Sequence, residues 1–486
     1  MLWPRFLWLR GLGVIFFSAF FSLAAQIQGL IGPRGILPAS DLFQAVGRTP
    51  TLTALWQMPS LLWLSSSSAA LTVLVWAGLV ASVLLTIGVW PRGTCAICTV
   101  LFLSFVAAAQ DFSSYQSDGM LLEAGFLSVF FAPRGVRPRL GVLDPPSRLA
   151  RFLLVWEWFR IYLESGIVKL ASGDEQWRTL RALDHYYENG PLPTYLGWYA
   201  QQIPPHAFHA ACVVVVFVFE LAIVWLGLGP RRARLVCFFL VTPFQAAIIL
   251  TANYAFLNYI VLFLGVLLLD DRFLVRAGLA APPEVPPRAR NKAFVLVERV
   301  ALCAVLAVTI VEAPLVSSAL PRQLLWPAIA LQPFRIANSY GLFAVMTNER
   351  FEIEFQGSRD GQTWTPYPFR FKPQDPAAAP GIYAPYQPRF EWNLWFASLG
   401  TFREYPWVVQ TEALLLDGEP SVLRLFKSDP FHGTPPSRVR AMLWRYWFTT
   451  PAEKRKTGRW WNRELRGSYA PALRKGADGR LEIVPG

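Results

Sequence analysis

The sequence predicts a polytopic α-helical membrane domain of about nine spans over residues 1–312, followed by a soluble mixed β/α domain with a β-sandwich-like part over residues 313–486. Two observations carry this. The chain is 54% hydrophobic with a mean hydropathy of +0.35, and only 16% of it is charged, where a soluble protein carries about a quarter. The deficit is also uneven. Long apolar runs fill residues 1–312, and beyond them alternation, turn residues and charges return.

A bilayer core of about 30 Å takes about 20 apolar residues in a helix. The runs that meet or approach this are 12–30, 69–90, 94–110, 120–132, 150–170, 207–229, 234–251, 253–269 and 294–312. The first continues apolar past the small-x-small site Ser22-Leu23-Ala24, so a retained helix is expected rather than a cleaved signal. The run 120–132 is the short one, and the loop charges argue that it crosses. One alternate set of loops holds sixteen Arg and Lys residues: Arg5, Arg10, Arg92, the cluster from Arg134 to Arg151, Arg231 to Arg234, and Arg272 to Lys292. The other set, before the soluble domain, holds only four: Arg34, Arg48, Arg178 and Arg181. Positive loops stay inside. The N-terminus is therefore expected in the cytoplasm, the Pro/Ala-rich linker 277–292 with it, and residues 313–486 outside. The net charge of +13 and pI near 9.7 follow from those loops, so nucleic acid is not an expected partner.

Ionisable residues within spans are costly and mark functional candidates. Glu157, Arg160 and Glu164 recur at helical spacing on one face, where Arg160 and Glu164 can pair or the face can pack on other helices. By span direction, Glu123, Glu164 and Lys169 approach the outer surface, where the loops add Asp111, Asp118, Asp174, His185 and Glu188. The expectation is one outward-open polar pocket holding Asp118, Glu123, Glu164 and Lys169, with His185 at its rim; ordinary loop ends are the competing reading. Glu220, Gln245, Asn253, Asn258 and Glu298 read as polar glue between helices. Walker, HExxH and GxSxG motifs are absent, and His206 and His209 have no evident third ligand, so no metal site and no cofactor is expected. Cys95 and Cys98 form a CxxC inside an apolar run and read as small filler.

In the outer domain, RFEIEF and YPFRF flank a turn at Ser358–Gly361, a β-hairpin signal. Beyond residue 390 the pattern reads as helical and aromatic through EWNLWFASLG, YPWVVQTEALLLDG and SRVRAMLWRYWFTT. Arg459, Trp460, Trp461 and Arg463 then form a basic aromatic cluster. It suits lipid headgroups or a client protein, while Trp460 and Trp461 equally suit a core. The domain has no cysteine, so no disulfide holds it.

Long strings carry a resemblance. YQSDGMLLEAGFLSVFFAPR (115–134), SGIVKLASGDEQWRTLRALDHYYENGPLPTYLGWY (165–199), NSYGLFAVMTNERFEIEFQGSRDGQTW (338–364), YQPRFEWNLWFASLG (386–400) and RYWFTT with RWWNRELRGSYAP resemble the lipase maturation factor family. Ser117 departs from it, at a position where an aromatic is expected. The resemblance implies a multi-span protein, in animals of the endoplasmic reticulum membrane, that assists folding and assembly of secreted lipases without established catalytic residues. The Arg-, Ala- and Pro-rich style here suggests a bacterial chain, whose equivalent compartment is the periplasm. A maturation or chaperone-like factor engaging an exported client, a lipase in the animal family, is thus the first reading. An integral membrane enzyme modifying a lipid or protein at the outer face is the alternative, by analogy of helical architecture with the vitamin-K-dependent carboxylases. A transporter is disfavoured by the lack of any repeat.

Overall fold

The computed structural model describes residues 1–47, 51–113, 115–286, 288–476 and 478–484. Its first part is a helical bundle built from α1 (Leu2–Ile31), α2 (Ser68–Ile87), α3 (Pro91–Ala108), α4 (Gln116–Phe131) and α5 (Arg148–Ala171). A loop bearing the short α6 (Tyr195–Gln202) leads to α7 (His206–Leu221), α8 (Arg231–Thr251), α9 (Leu257–Gly265) and α10 (Lys292–Glu312). All nine expected spans thus fall on helices. Six of these are long and apolar enough to cross a membrane: α1, α2, α3, α8, α10, and α7 with its 3-10 extension to Leu228. The other three fall short for different reasons: α4 has 16 residues, α5 carries six charged ones, and α9 with its 3-10 extension runs only from Leu257 to Leu268.

Local chemistry sets the helix ends. The Ser67 hydroxyl accepts from the backbone N–H of Ala70 to start α2, and Gly88, at φ +78°, ends it in the left-handed conformation. Small residues allow close packing: the ring of Phe20 on α1 lies where any side chain at Gly78 on α2 would stand. Helix α1 is the most enclosed of the six, whereas α7 and α8 leave most of their apolar residues uncovered. Exposed Val214, Val218, Phe239 and Leu250 are what a lipid-facing surface requires.

The two ends of the bundle differ. At one end the N-terminal ammonium pairs with Asp271, Arg231 pairs with Asp270, and Arg5 donates to the carbonyls of Leu140, Gly141 and Asp144. The other end carries the sheet domain. There Gln26 donates to the carbonyl of Gln387, and the Asn253 side-chain Oδ1 accepts from the backbone N–H groups of Tyr383 and Ala384. Helix α4 runs between the two: Asp118 at its start pairs with Arg389, and the loop after it bonds the arginine end through Trp90 N–H to the Val136 carbonyl.

The second part is one antiparallel sheet of six strands: β1 (Arg350–Ser358), β2 (Thr365–Pro366), β3 (Arg438–Phe448), β4 (Trp461–Ser468), β5 (Ala472–Lys475) and β6 (Leu481–Val484). β3 is central. It pairs with β1 from Arg350↔Tyr446 to Ser358↔Arg438, and on its other edge with β4 and then β5. Helices α11 (Arg389–Ala397) and α12 (Trp407–Leu416) bury Phe390, Leu394, Trp407 and Leu415 with Ile353, Phe355, Val439 and Ala441 of the sheet. The capping box of Thr450 and Glu453 starts α13 (Pro451–Thr457) between β3 and β4.

The expected β-sandwich is therefore corrected to a single sheet backed by helices. The expected helix over SRVRAMLWRYWFTT is corrected to β3. Arg438-Val439-Arg440-Ala441 alternates with period two, and Val439 and Ala441 supply the buried face. The hairpin turn stands as expected. Asp360 accepts from the backbone N–H groups of Gln362 and Thr363, which holds its carboxyl below the usual range, and Gly361 sits at φ +75°. Its second strand is corrected from YPFRF to Thr365–Pro366, kept short because Pro366 and Pro368 have no N–H to donate.

Two buried carboxyls give this domain a pH dependence. Glu391 accepts from the N–H groups of Arg370, Phe371 and Lys372, yet burial pushes it up to about 7. Both Glu412 oxygens are buried without a partner among the described residues, and burial pushes this group well above its ordinary value. Raised folded values mean that the stabilising protonated forms are complete below the unfolded range near pH 4.3. That contribution is lost as pH rises through the folded values, about 7 for Glu391. The thermal midpoint of the full chain in detergent is expected to fall between pH 5 and 8. Glu412→Gln should raise the midpoint at pH 8 and flatten the slope; an unchanged slope would contradict this.

Candidate functional site

Burying a charge demands a partner, and Glu123, Asp118 and Lys169 each find one by a long-range contact, whereas the wholly buried Glu157 has no cation within ion-pair distance among the described residues. Glu123 of α4 and Arg160 of α5 pair directly, with side chains almost wholly buried. The other Glu123 oxygen accepts from the Asn338 backbone N–H at 3.0 Å, the Asn338 amide at 3.1 Å and the Tyr340 hydroxyl at 2.9 Å. Arg160 also donates to the Asn338 carbonyl, and Glu164 accepts from the Tyr340 N–H at 2.6 Å. The segment Asn338–Tyr340, which precedes the sheet, is thereby clamped between α4 and α5. Arg160 pairs across helices rather than with Glu164 in its own helix. Nearby, Arg389 of α11 grips Asp118 with two bonds of 2.7 and 2.8 Å and the Phe112 carbonyl with a third of 2.7 Å.

Lys169 lies elsewhere. Its Nζ is 2.8 and 2.9 Å from the two carboxylate oxygens of Glu220 on α7, 3.5 Å from the Ser165 carbonyl, and 5.3 Å from the Trp177 ring centre. This pair lines an otherwise largely apolar cavity of about 220 Å³ among α5, α7, α8 and α9, walled by Tyr162, Val216, Phe244, Ile248 and Phe343.

His185 faces a third place. Its Nδ1 is 2.8 Å from Glu188, whose other oxygen accepts from the Phe448 N–H of β3 at 2.8 Å. The hydrogen bond to Glu188 holds the imidazole above its ordinary value. Arg350 of β1 reaches into the same loop, donating to the carbonyls of Glu188 and Pro191.

The five residues expected in one open pocket are thus divided. Glu123 and Glu164 share the polar clamp, Asp118 sits beside it with Arg389, Lys169 belongs to the apolar cavity, and His185 borders the sheet. Cost accounts for three of them: Glu123 pairs with Arg160, Asp118 with Arg389 and Lys169 with Glu220, so these charges are consumed in pairs instead of pooled, while Glu164 is held by the Tyr340 N–H. Sequence reasoning missed Arg389, Asn338 and Tyr340, which carry no local signal. Glu220 was findable, because Lys169 is the only lysine before residue 292 and an acid in a span needs a cation.

The basic aromatic cluster also divides. Of the two readings for Trp461, the interior one holds: it is 1% exposed and packs on Phe448 at 4.4 Å. Trp460 is half-buried under Lys454, whose Nζ is 3.0 Å from its ring centre, and meets Trp198 and Tyr199 of α6 edge-on. Arg463 contacts Glu354 at 3.4 Å and lies over Trp444, while Arg459 is exposed.

These features define an integral membrane protein whose sheet domain is anchored to one end of a helical bundle through a buried ion pair and buried hydrogen bonds. The profile described as "Lipase maturation factor transmembrane domain" matches residues 3–276, and that described as "Lipase maturation factor C-terminal domain" matches residues 336–471. Lipase maturation factor 2 of Mus musculus is 31% identical over 99% of this chain and 84% of its own length. Lipase maturation factor 1 is 31% identical in Mus musculus, over 97% of this chain and 87% of its own, and 30% identical in Homo sapiens, over 96% and 87%. No solved structure matches. The chain belongs to the lipase maturation factor family, and its role is that of a maturation factor.

Proposed function

We propose that this chain assists the folding or assembly of an exported lipase at the outer face of the membrane, with its N-terminus in the cytoplasm and its sheet domain in the periplasm or an equivalent space. The observation that carries this is the anchoring of the sheet domain to the end of the bundle opposite the arginine-bearing loops. Under the positive-inside rule this supports a domain on the side where an exported client emerges. The relatives' names supply the client class; the alternative of an enzyme acting on lipid or protein finds no support in them.

In this reading α4, α5 and α9 cross as well, giving nine spans and opposite locations for the two termini. At 1.5 Å per residue, the 16 residues of α4 reach about 24 Å, so the bilayer must thin beside it. The rim of Trp198, Tyr199, Lys454 and Trp460, with Arg459 near it, lies beside the start of α7 and rests on the outer headgroups, as Trp and Lys do at interfaces. Periplasmic alkaline phosphatase fused after Gly486 should be active. A cytoplasm-only reporter active at that position, with the phosphatase silent, would invert the topology.

A further inference from the structure

Helix α7 is long and apolar enough to cross the membrane and begins at His206, so the chain just ahead of it lies at the bilayer surface. That chain is α6 and the turn after it. The Thr194 hydroxyl ahead of α6 donates to the Leu250 carbonyl at 3.1 Å, which fixes α6 beside the end of α8 as well. Helices α7 and α8 are the least covered of the long apolar helices. The outward side of α6 is apolar too: Tyr199 is 43% exposed, and Ile203 just after the helix is 66% exposed. Against this side the sheet domain sets α13. Trp198 Nε1–H donates to the Thr449 carbonyl at 3.0 Å, Trp460 meets Trp198 edge-on, and Lys454 Nζ lies 3.0 Å from the centre of the Trp460 ring. Between α6 and α13 runs a groove of about 530 Å³, floored by Trp198, Tyr199 and Ile203 and edged by Lys454 and Arg455.

The charge around this groove is one-sided. Lys454, Arg455, Lys456 and Arg459 stand within six residues of chain, and none pairs with a carboxylate among the described residues. Glu453, the one acid of α13, is occupied by the backbone N–H and hydroxyl of Thr450, and α6 carries no charge. Exposed cations farther from the bundle are matched instead, Arg474 by Glu482 and Lys475 by Asp417. Basic residues left without carboxylates at a bilayer surface are matched by anionic lipid. We propose that this groove binds an acidic phospholipid, its phosphate between Lys454 and Arg455 and its glycerol and upper acyl chain along Tyr199 and Ile203, so that one lipid bridges the bundle and the sheet domain. A zwitterionic lipid is selected against because its ammonium meets the same four cations. The inference deepens the placing of this rim at the headgroups and rests on it. It depends neither on which leaflet that is nor on the client.

The test uses the full chain in phosphatidylcholine nanodiscs holding a trace of photoreactive lipid, either phosphatidylglycerol or phosphatidylcholine, with a diazirine near the ester end of one acyl chain. Labelling of the lipid-facing stretch 214–218 of α7 is the internal reference, because any bilayer lipid reaches it. Relative to it, peptides covering 195–203 and 451–461 should take phosphatidylglycerol at least about tenfold more than phosphatidylcholine, since each basic residue at an anionic surface contributes about fivefold. The triple variant Arg455→Gln, Lys456→Gln, Arg459→Gln keeps Lys454 on its ring and should bring the two lipids level. In the unaltered chain, raising salt from about 0.1 to about 1 M shortens the screening length from about 10 to about 3 Å and should remove most of the preference. That arm stands even if the variant fails to fold. Equal labelling by the two lipids, or a preference that survives both the triple variant and high salt, would overturn the acidic-lipid assignment while leaving the rim at the headgroups. Equal labelling together with loss of client maturation in the triple variant would give these cations to a client protein instead. Neither lipid reaching these peptides would overturn the rim's placement and the proposal together. An inverted topology would silence the phosphatase fusion yet leave the labelling preference intact, because both leaflets of the nanodisc are alike.

Discussion

Arg389→Ala is expected to destabilise the chain by about 3–5 kcal/mol, the cost of leaving a buried carboxylate without its cation. Asp118 is wholly buried and its two oxygens are held by the Arg389 guanidinium at 2.7 and 2.8 Å. Removing the guanidinium strands that carboxylate and also frees the Phe112 carbonyl, which accepts the third bond. Because the pair joins α4 to α11, the loss falls on the junction between bundle and sheet. The measurement is the thermal midpoint of the purified chain together with its steady-state abundance. The combination Asp118→Leu with Arg389→Met should recover much of the loss, since a buried pair replaced by packed apolar groups is often neutral. A double variant as unstable as the single one would show that the pair is not what the single substitution removes.

Lys169→Ala is the second large effect. It leaves Glu220 inside the bundle facing Tyr162, Phe244 and Ile248, with no other cation within ion-pair distance among the described residues. An uncompensated charge at that depth costs at least about 2.5 kcal/mol on insertion scales. Abundance should fall several-fold, and Glu220→Gln introduced alongside should restore most of it. If Lys169→Ala instead leaves the chain abundant and well inserted while client maturation is lost, Lys169 acts on a ligand or client rather than as the counter-ion of Glu220.

The bundle was legible because its signal is local. A run of apolar residues needs only its own length to declare a helix, so each expected span meets one. The hairpin was legible for the same reason, through Asp360 and Gly361. The polar clamp was not: Asp118 and Arg389 are 271 residues apart, and Glu123 and Asn338 are 215 apart. Nothing near Arg389 in sequence distinguishes it from a surface arginine. Strand β3 was misread because Ala441, Met442 and Leu443 favour helix, while the alternation that makes it a strand occupies only its first four residues. Trp461 was ambiguous in sequence because burial of an aromatic in this sheet depends on α6, which is distant in the chain and supplies Trp198.

The maturation role is tested most directly by the specific activity of an exported lipase, meaning activity per mass of lipase protein, in cells with and without this chain. Loss of the chain should lower specific activity severalfold while the lipase polypeptide is still made and exported, and the intact chain should restore it where the Arg389→Ala variant does not. Specific activity that stays the same in its absence, across the lipases the cell exports, would contradict the role assigned here.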